Sequence, residues 1–177
     1  NEQQPDNPEN PIDTSTPSAG EDGNGEVLIV YFSNSGNTHK LTEMITAEFE
    51  ADTLRLTPAD PYEWENLFER AQDELNDGIR PELTGLPEAD VIAQYDTILL
   101  GFPIWWYVAP TIVNTFLEKH DFSGKKIILF ATSGGSDIGK TAEKLMPYLK
   151  NGATISGAQV FAHSASEEVL KAWVDTL

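Results

Sequence analysis

Cysteine is absent from these 177 residues, which excludes disulfides, thiolate catalysis and iron–sulfur ligation. Histidine is scarce. His39, His120 and His163 stand far apart without metal-ligand spacing, so none is read as a ligand and no metal site is expected. No apolar run approaches the roughly 20 residues that a membrane-spanning helix needs. Bases are outnumbered by acids, 11 to 29, for a formal charge of −18. That balance disfavours nucleic acid and anionic membrane surfaces, and it permits docking against a protein with a basic face. With 40% apolar residues the chain can bury one sizeable core.

The first 25 residues are a zone of their own. Pro5, Pro8, Pro11 and Pro17 sit among Asn, Asp, Glu, Ser, Thr and Gly, with Ile12 and Ala19 as the only apolar side chains. Such a segment cannot bury enough surface to fold alone, so residues 1–25 read as an acidic tether and residues 26–177 as the folded domain. Residues 1–26 hold seven acids and no Lys or Arg, leaving the rest of the chain with 22 acids against 11 bases, or −11. The chain starts at Asn1, not Met, as a processed or truncated chain would. Compositionally the leader resembles the spacer behind the lipidated cysteine of bacterial lipoproteins, which implies export and a lipid-tethered N-terminus at the cell envelope. Truncation for expression leaves the same appearance, with the cytoplasm as the alternative location.

From residue 26 strands and helices alternate. Val27–Phe32 is a continuous β-branched and aromatic run, the pattern of a strand buried on both faces of a parallel sheet. Leu41, Met44, Ile45 and Phe49 recur at helical spacing and predict a helix over about 38–49, with Asn37 or Thr38 as its N-cap. Ala51–Thr57 reads as a second strand. Trp64, Leu67, Phe68, Ala71 and Leu75 form the apolar stripe of a helix whose wet face carries Glu63, Glu65, Glu69, Arg70, Asp73 and Glu74. Thr97–Phe102 and Ile127–Ala131 are strands 3 and 4, with a helix opened by Pro110 between them. A helix from Ser136 or Asp137 that Pro147 ends or kinks, strand 5 at Gln159–Ala162, and a closing helix through Leu170, Trp173, Val174 and Leu177 complete the series. Right-handed crossovers turn this alternation into a three-layer α/β/α doubly wound sandwich. Its five-stranded parallel sheet takes the order 2-1-3-4-5.

Strand 1 stops at six small residues, Ser33, Asn34, Ser35, Gly36, Asn37 and Thr38. A strand, a hydroxyl-rich turn and a helix start direct backbone N–H groups and a positive dipole end at one point, which suits a phosphate. With one glycine the loop is not the dinucleotide fingerprint, and without lysine it is not a Walker A loop. Its donors would be neutral: the hydroxyls of Ser33, Ser35 and Thr38 and the N–H groups from Asn34 through Thr38. Ligands in such sheets collect where strands 1 and 3 part. After strand 3 come Pro103, Ile104, Trp105, Trp106 and Tyr107, aromatics that a flat apolar ligand would cover. One tryptophan of the pair is expected to point into the core. After strand 4 come Ser133, Gly134 and Gly135, whose small size lets backbone approach a ligand.

Ser33, Ser35, Gly36 and Thr38 match the first-loop pattern of flavodoxins, Ser/Thr-x-Ser/Thr-Gly-x-Thr after the first strand, and Pro103-Ile104-Trp105-Trp106 looks like the second loop of short bacterial flavodoxin-like proteins. The resemblance covers residues 26–177. It implies FMN as cofactor, with phosphate held by 33–38, ring face by 103–107 and ring edge by 133–135. It also implies an electron-transfer protein serving redox partners, because no general acid, base or nucleophile is evident. Burial against Trp and the −11 charge would disfavour an anionic reduced flavin and lower its potential. One departure points elsewhere: flavodoxins that work in one-electron steps flip a peptide beside the ring, commonly at Gly, and none lies between Phe102 and Ala109. A two-electron quinone or NAD(P)H:FMN-type reductase is therefore the alternative.

A distant rival is a P-loop NTPase, since Gly134–Thr141 reads Gly-Gly-Ser-Asp-Ile-Gly-Lys-Thr. Asp137 would then sit inside a triphosphate cradle, and no apolar strand ends in the acid a Mg²⁺ site needs. Lys140 and Thr141 read more simply as exposed first-turn residues of a helix.

Overall fold

The computed structural model describes residues 12–13, 27–48 and 51–177. Five parallel strands, β1 (Val27–Tyr31), β2 (Asp52–Arg55), β3 (Thr97–Pro103), β4 (Lys126–Ser133) and β5 (Thr154–Ala162), pair in the order 2-1-3-4-5. Alternate residues of β1 enter two separate cores, as a strand covered on both faces requires. Leu28 and Val30 pack with Leu67, Ile92, Ile112, Phe116 and Leu145. Val27, Ile29 and Tyr31 pack with Leu41, Ile45, Leu170 and Val174. The sheet is thus a middle layer. Helices α1 (Asn37–Glu48) and α6 (Glu167–Val174) cover one face; α2 (Leu67–Asp77), α3 (Ala89–Ala93), α4 (Thr111–Lys119) and α5 (Thr141–Leu145) cover the other.

Several boundaries differ from the sequence reading for physical reasons. Strand β5 begins at Thr154, not Gln159, because at the sheet edge most of its residues stay at least partly exposed and no apolar run marks it. The second strand is split: after β2, Thr57–Pro58 turns away to pair antiparallel with Leu83–Thr84. The helix expected from Ser136 or Asp137 starts only at Thr141, which is fully buried, not exposed as expected. Pro147 lies in a 3₁₀ turn, Met146–Tyr148, that follows it.

The predicted stripe of α2 is wrong in detail. Trp64 and Phe68 are 60% and 66% exposed, whereas Glu74, assigned to the wet face, is 4% exposed. Its carboxylate accepts from the Tyr62 hydroxyl (2.8 Å), Arg70 Nε (2.9 Å) and Thr111 Oγ1 (2.7 Å), so the charge is buried with its partners. Burial, reinforced by the Glu74 carboxylate, pushes the Tyr62 phenol far above its ordinary range and keeps it a donor.

Of the acidic leader, Ile12–Asp13 pairs antiparallel with β2, Ile12 opposite Leu54 and Asp13 opposite Thr53. The remainder of the tether expected over 1–25 lies outside the described residues. No described helix is long and apolar enough to cross a membrane.

His120 ends α4 against Phe116 and Phe122, and neither ring nitrogen has a hydrogen-bond partner among the described residues. Burial, aided by the neighbouring Lys119, lowers its pKa. The unfolded chain therefore binds this proton more readily, and stability falls as pH drops through the ordinary imidazole value of about 6.5. Urea unfolding at about pH 7.5 and about pH 5.5 checks this. The wild type should lose more stability between those values than His120→Phe does; an equal loss contradicts it.

Candidate functional site

Register places the carboxyl ends of β1, β3 and β4 side by side: Tyr31 lies opposite Gly101, Gly101 opposite Phe130, and Pro103 opposite Thr132. The loops they feed, 33–38, 103–107 and 133–135, therefore share one rim. Gly101 is what allows β3 to lie there, since a Cβ would sit 2.1 Å from the Phe130 ring.

The first loop folds back on itself. Ser33 is buried, and its Oγ accepts the His39 N–H at 3.1 Å, closing the loop onto the first turn of α1. Gly36 has φ +87°, the left-handed region, and nothing lies within 4 Å of where its Cβ would be. The space above the turn is open. Asn37 and Thr38, expected as caps, are instead the first two residues of α1, and the Gly36 carbonyl accepts the Lys40 N–H at 2.9 Å. Ser35 and Gly36 are exposed, while Asn34 and Asn37 are half-buried. With the His39 N–H taken by Ser33, the N–H groups of Asn37 and Thr38 are the first-turn donors without an acceptor inside the helix, at its positive dipole end. Thr38 behaves otherwise. It is 1% exposed, and its Oγ1 lies 2.9 Å from Thr132 Oγ1, so the hydroxyl expected to receive phosphate is engaged with β4.

One cation joins the loop that the sequence reading did not place there. Arg55 ends β2 opposite Tyr31, and its Nη2 lies 3.5 Å from the Ser33 carbonyl oxygen.

The second loop is clamped. The Ile104 N–H donates to the Thr132 carbonyl at 2.9 Å, and Trp105 and Val108 exchange hydrogen bonds of 3.0 and 3.1 Å. Between them Trp106 and Tyr107 have φ of +49° and +65°. Two residues at positive φ are what such a two-residue turn demands, a place usually given to Gly or Asn. The cost is on the order of 1 kcal/mol per residue. Trp105 is the inward tryptophan, edge-on to Phe32 and Tyr62 at 5.4 and 5.1 Å between ring centroids. Trp106 and Tyr107 are 40% and 68% exposed, and Trp106 Nε1 donates to the Phe68 carbonyl at 2.9 Å. The loop after β4 packs against this turn through Gly139, where a Cβ would meet the Tyr107 carbonyl at 2.4 Å.

In the third loop Ser133 is buried, and its Oγ accepts the N–H groups of Gly135 (3.1 Å) and Ser136 (2.7 Å). Gly134 and Gly135 are exposed. Farther on, Asp137 Oδ1 accepts the Gly139 N–H at 2.8 Å. A carboxylate holding that amide opposes use of the segment as a triphosphate cradle.

Two residues that hold this site together were missed. Thr132, 3% exposed, binds the first loop through its hydroxyl and the second through its carbonyl. Its signal was available as a polar residue at the end of β4, next to the Ser-Gly-Gly turn. Glu74 acts from behind, fixing Tyr62 against Trp105; a lone Glu among exposed acids carries no such signal.

The structure also has a groove of about 530 Å³ along α2, lined by Asp60, Glu69, Arg70, Asp73, Glu74 and Glu82. Its carboxylates repel a phosphate, which disfavours this groove as an anion site.

The Flavodoxin family model matches residues 26–177, and the chain belongs to that family. A candidate flavoprotein of Bacteroides uniformis is 34% identical, with a TM-score of 0.74 over 85% of this chain and 98% of that one. Another from Bacteroides eggerthii is 35% identical, with a TM-score of 0.70 over 85% and 96%. A Lactobacillus acidophilus flavoprotein, solved in complex with FMN, has the same fold at a TM-score of 0.62, with 24% identity over 76% of this chain and 91% of its own. Curated proteins give no significant match.

The Thr38–Thr132 contact can be measured by a double-mutant cycle with Thr38→Val and Thr132→Val under urea. Each single change strands a buried hydroxyl. The double variant should be about 1 kcal/mol more stable than the summed losses indicate, and strict additivity contradicts the contact.

Proposed function

We infer that the chain binds FMN and carries electrons for a redox partner. The observation that carries this reading is the convergence of an open, glycine-bearing helix N-terminus, an exposed aromatic turn and a Ser-Gly-Gly loop on three adjoining strand ends. The residues fit the group. Ser35 and the N–H groups of Asn37 and Thr38 would receive the phosphate, and the open space over Gly36 leaves room for it. Trp106 and Tyr107 would cover the ring, while Gly134 and Gly135 would bring backbone to its edge. When bound, FMN supplies the electron transfer itself. The chain's contribution is to orient the ring, exclude water from the Trp105 side and surround the flavin with negative charge. A partner with a basic face suits the −11 of residues 27–177.

One observation favours the second reading, an FMN-dependent two-electron reductase. The turn beside the ring is held by the Trp105–Val108 pair and by Trp106 Nε1 on Phe68, with non-glycine residues at both positive-φ positions. Such a turn resists the peptide flip associated with one-electron carriers.

The purified chain, mixed with FMN and freed of excess, should retain about one flavin per chain. Anaerobic redox titration should then resolve two one-electron steps. A single two-electron step with quinone turnover assigns the reductase instead, and a folded chain that holds no flavin contradicts both.

A further inference from the structure

The reading above, on which this inference rests, leaves the phosphate among neutral donors, yet the structure brings a cation to the same loop. The chain has three arginines and 29 acids. Arg70 is held by Glu74 and Asp60, and Arg80 by Glu118 and the Tyr148 hydroxyl. Arg55 differs from both: among the described residues it is in no ion pair, and its one hydrogen bond runs to the Ser33 carbonyl at 3.5 Å.

Its position follows from the sheet. β2 is parallel to β1, so their carboxyl ends coincide, with Arg55 opposite Tyr31 two residues before Ser33. Leu54 turns into the core at 0% exposure, and alternation leaves Arg55 on the other face, exposed. Tyr31 on that face hydrogen-bonds His39 Nδ1 at 2.8 Å and stacks on its ring, which draws His39 toward the sheet. His39 in turn lies against Glu43, whose carboxylate is 3.7 Å from His39 Nε2.

A guanidinium carries five N–H donors, and one contact to a carbonyl leaves four for an anion. A phosphate monoester brings a charge of about −1.5 to −2. The −11 carried by residues 27–177 opposes its entry, and neutral donors do not offset that repulsion.

We propose that Arg55 is the specificity-determining cation of the phosphate loop, favouring phosphorylated flavin over riboflavin. Titrations of the wild type, Arg55→Gln and Arg55→Lys with FMN and with riboflavin, at low and moderate salt, test this. Arg55 is exposed, so both variants should unfold at the wild-type midpoint. Arg55→Gln should weaken FMN about tenfold or more while riboflavin changes less than about twofold. Its FMN affinity should also fall less steeply with added salt than the wild type's. Arg55→Lys should fall between, keeping the charge without the fork. Equal weakening of both flavins would assign Arg55 to shaping the loop and overturn the proposal, as would unchanged FMN affinity. A wild type that binds neither flavin removes the FMN reading and this proposal with it, whereas equal loss in Arg55→Gln leaves that reading standing.

Discussion

The site depends on Thr132. Its hydroxyl meets Thr38 Oγ1 at 2.9 Å and its carbonyl accepts the Ile104 N–H at 2.9 Å. One residue at the end of β4 thereby ties the helix start that follows β1 to the turn that follows β3. The tie works because it is dry: Thr38 and Thr132 are 1% and 3% exposed, so each hydroxyl would be costly to strand. Parallel pairing brings three strand ends together, and this contact makes their loops a single rim.

The rim carries strain that the surrounding packing sustains. Trp106 and Tyr107 hold positive φ because the Trp105–Val108 pair, the Phe68 carbonyl and the close approach of Gly139 leave the turn little alternative. Behind it, Glu74 fixes the Tyr62 hydroxyl at 2.8 Å, and Arg70 lies 4.1 Å from the centre of the Tyr62 ring. Tyr62 in turn packs edge-on against Trp105. The ion pair of half-buried Arg70 with buried Glu74 on α2 thus bears on a loop two elements away.

The fold was legible wherever one physical cause dominates. β1, β3 and β4 are buried on both faces and read as apolar runs, and their alternation with helices restricts the topology. Legibility failed where tertiary contacts override local pattern. β5 lies at the edge and has no run. The segment 134–140 has the composition of a helix start, but Ser133 and Asp137 bond its amides into a turn and delay the helix to Thr141. Trp64 and Phe68 fit helical spacing yet lie in the open, because the core on that side is filled by Leu67, Tyr62 and the Glu74 network. The loops of the site were visible as small or aromatic residues after strands, whereas Thr132, Glu74 and Arg55 matter through partners distant in sequence.

The central claim is that these three loops form one flavin cradle. Amide chemical shifts of the isotope-labelled chain, followed by NMR during addition of FMN, test it most directly. The account predicts the largest changes at the backbone N–H groups of residues 34–38, 104–108 and 133–135, saturating together with one affinity. Changes centred on the acidic groove along α2, or independent titration of the three loops, would contradict it.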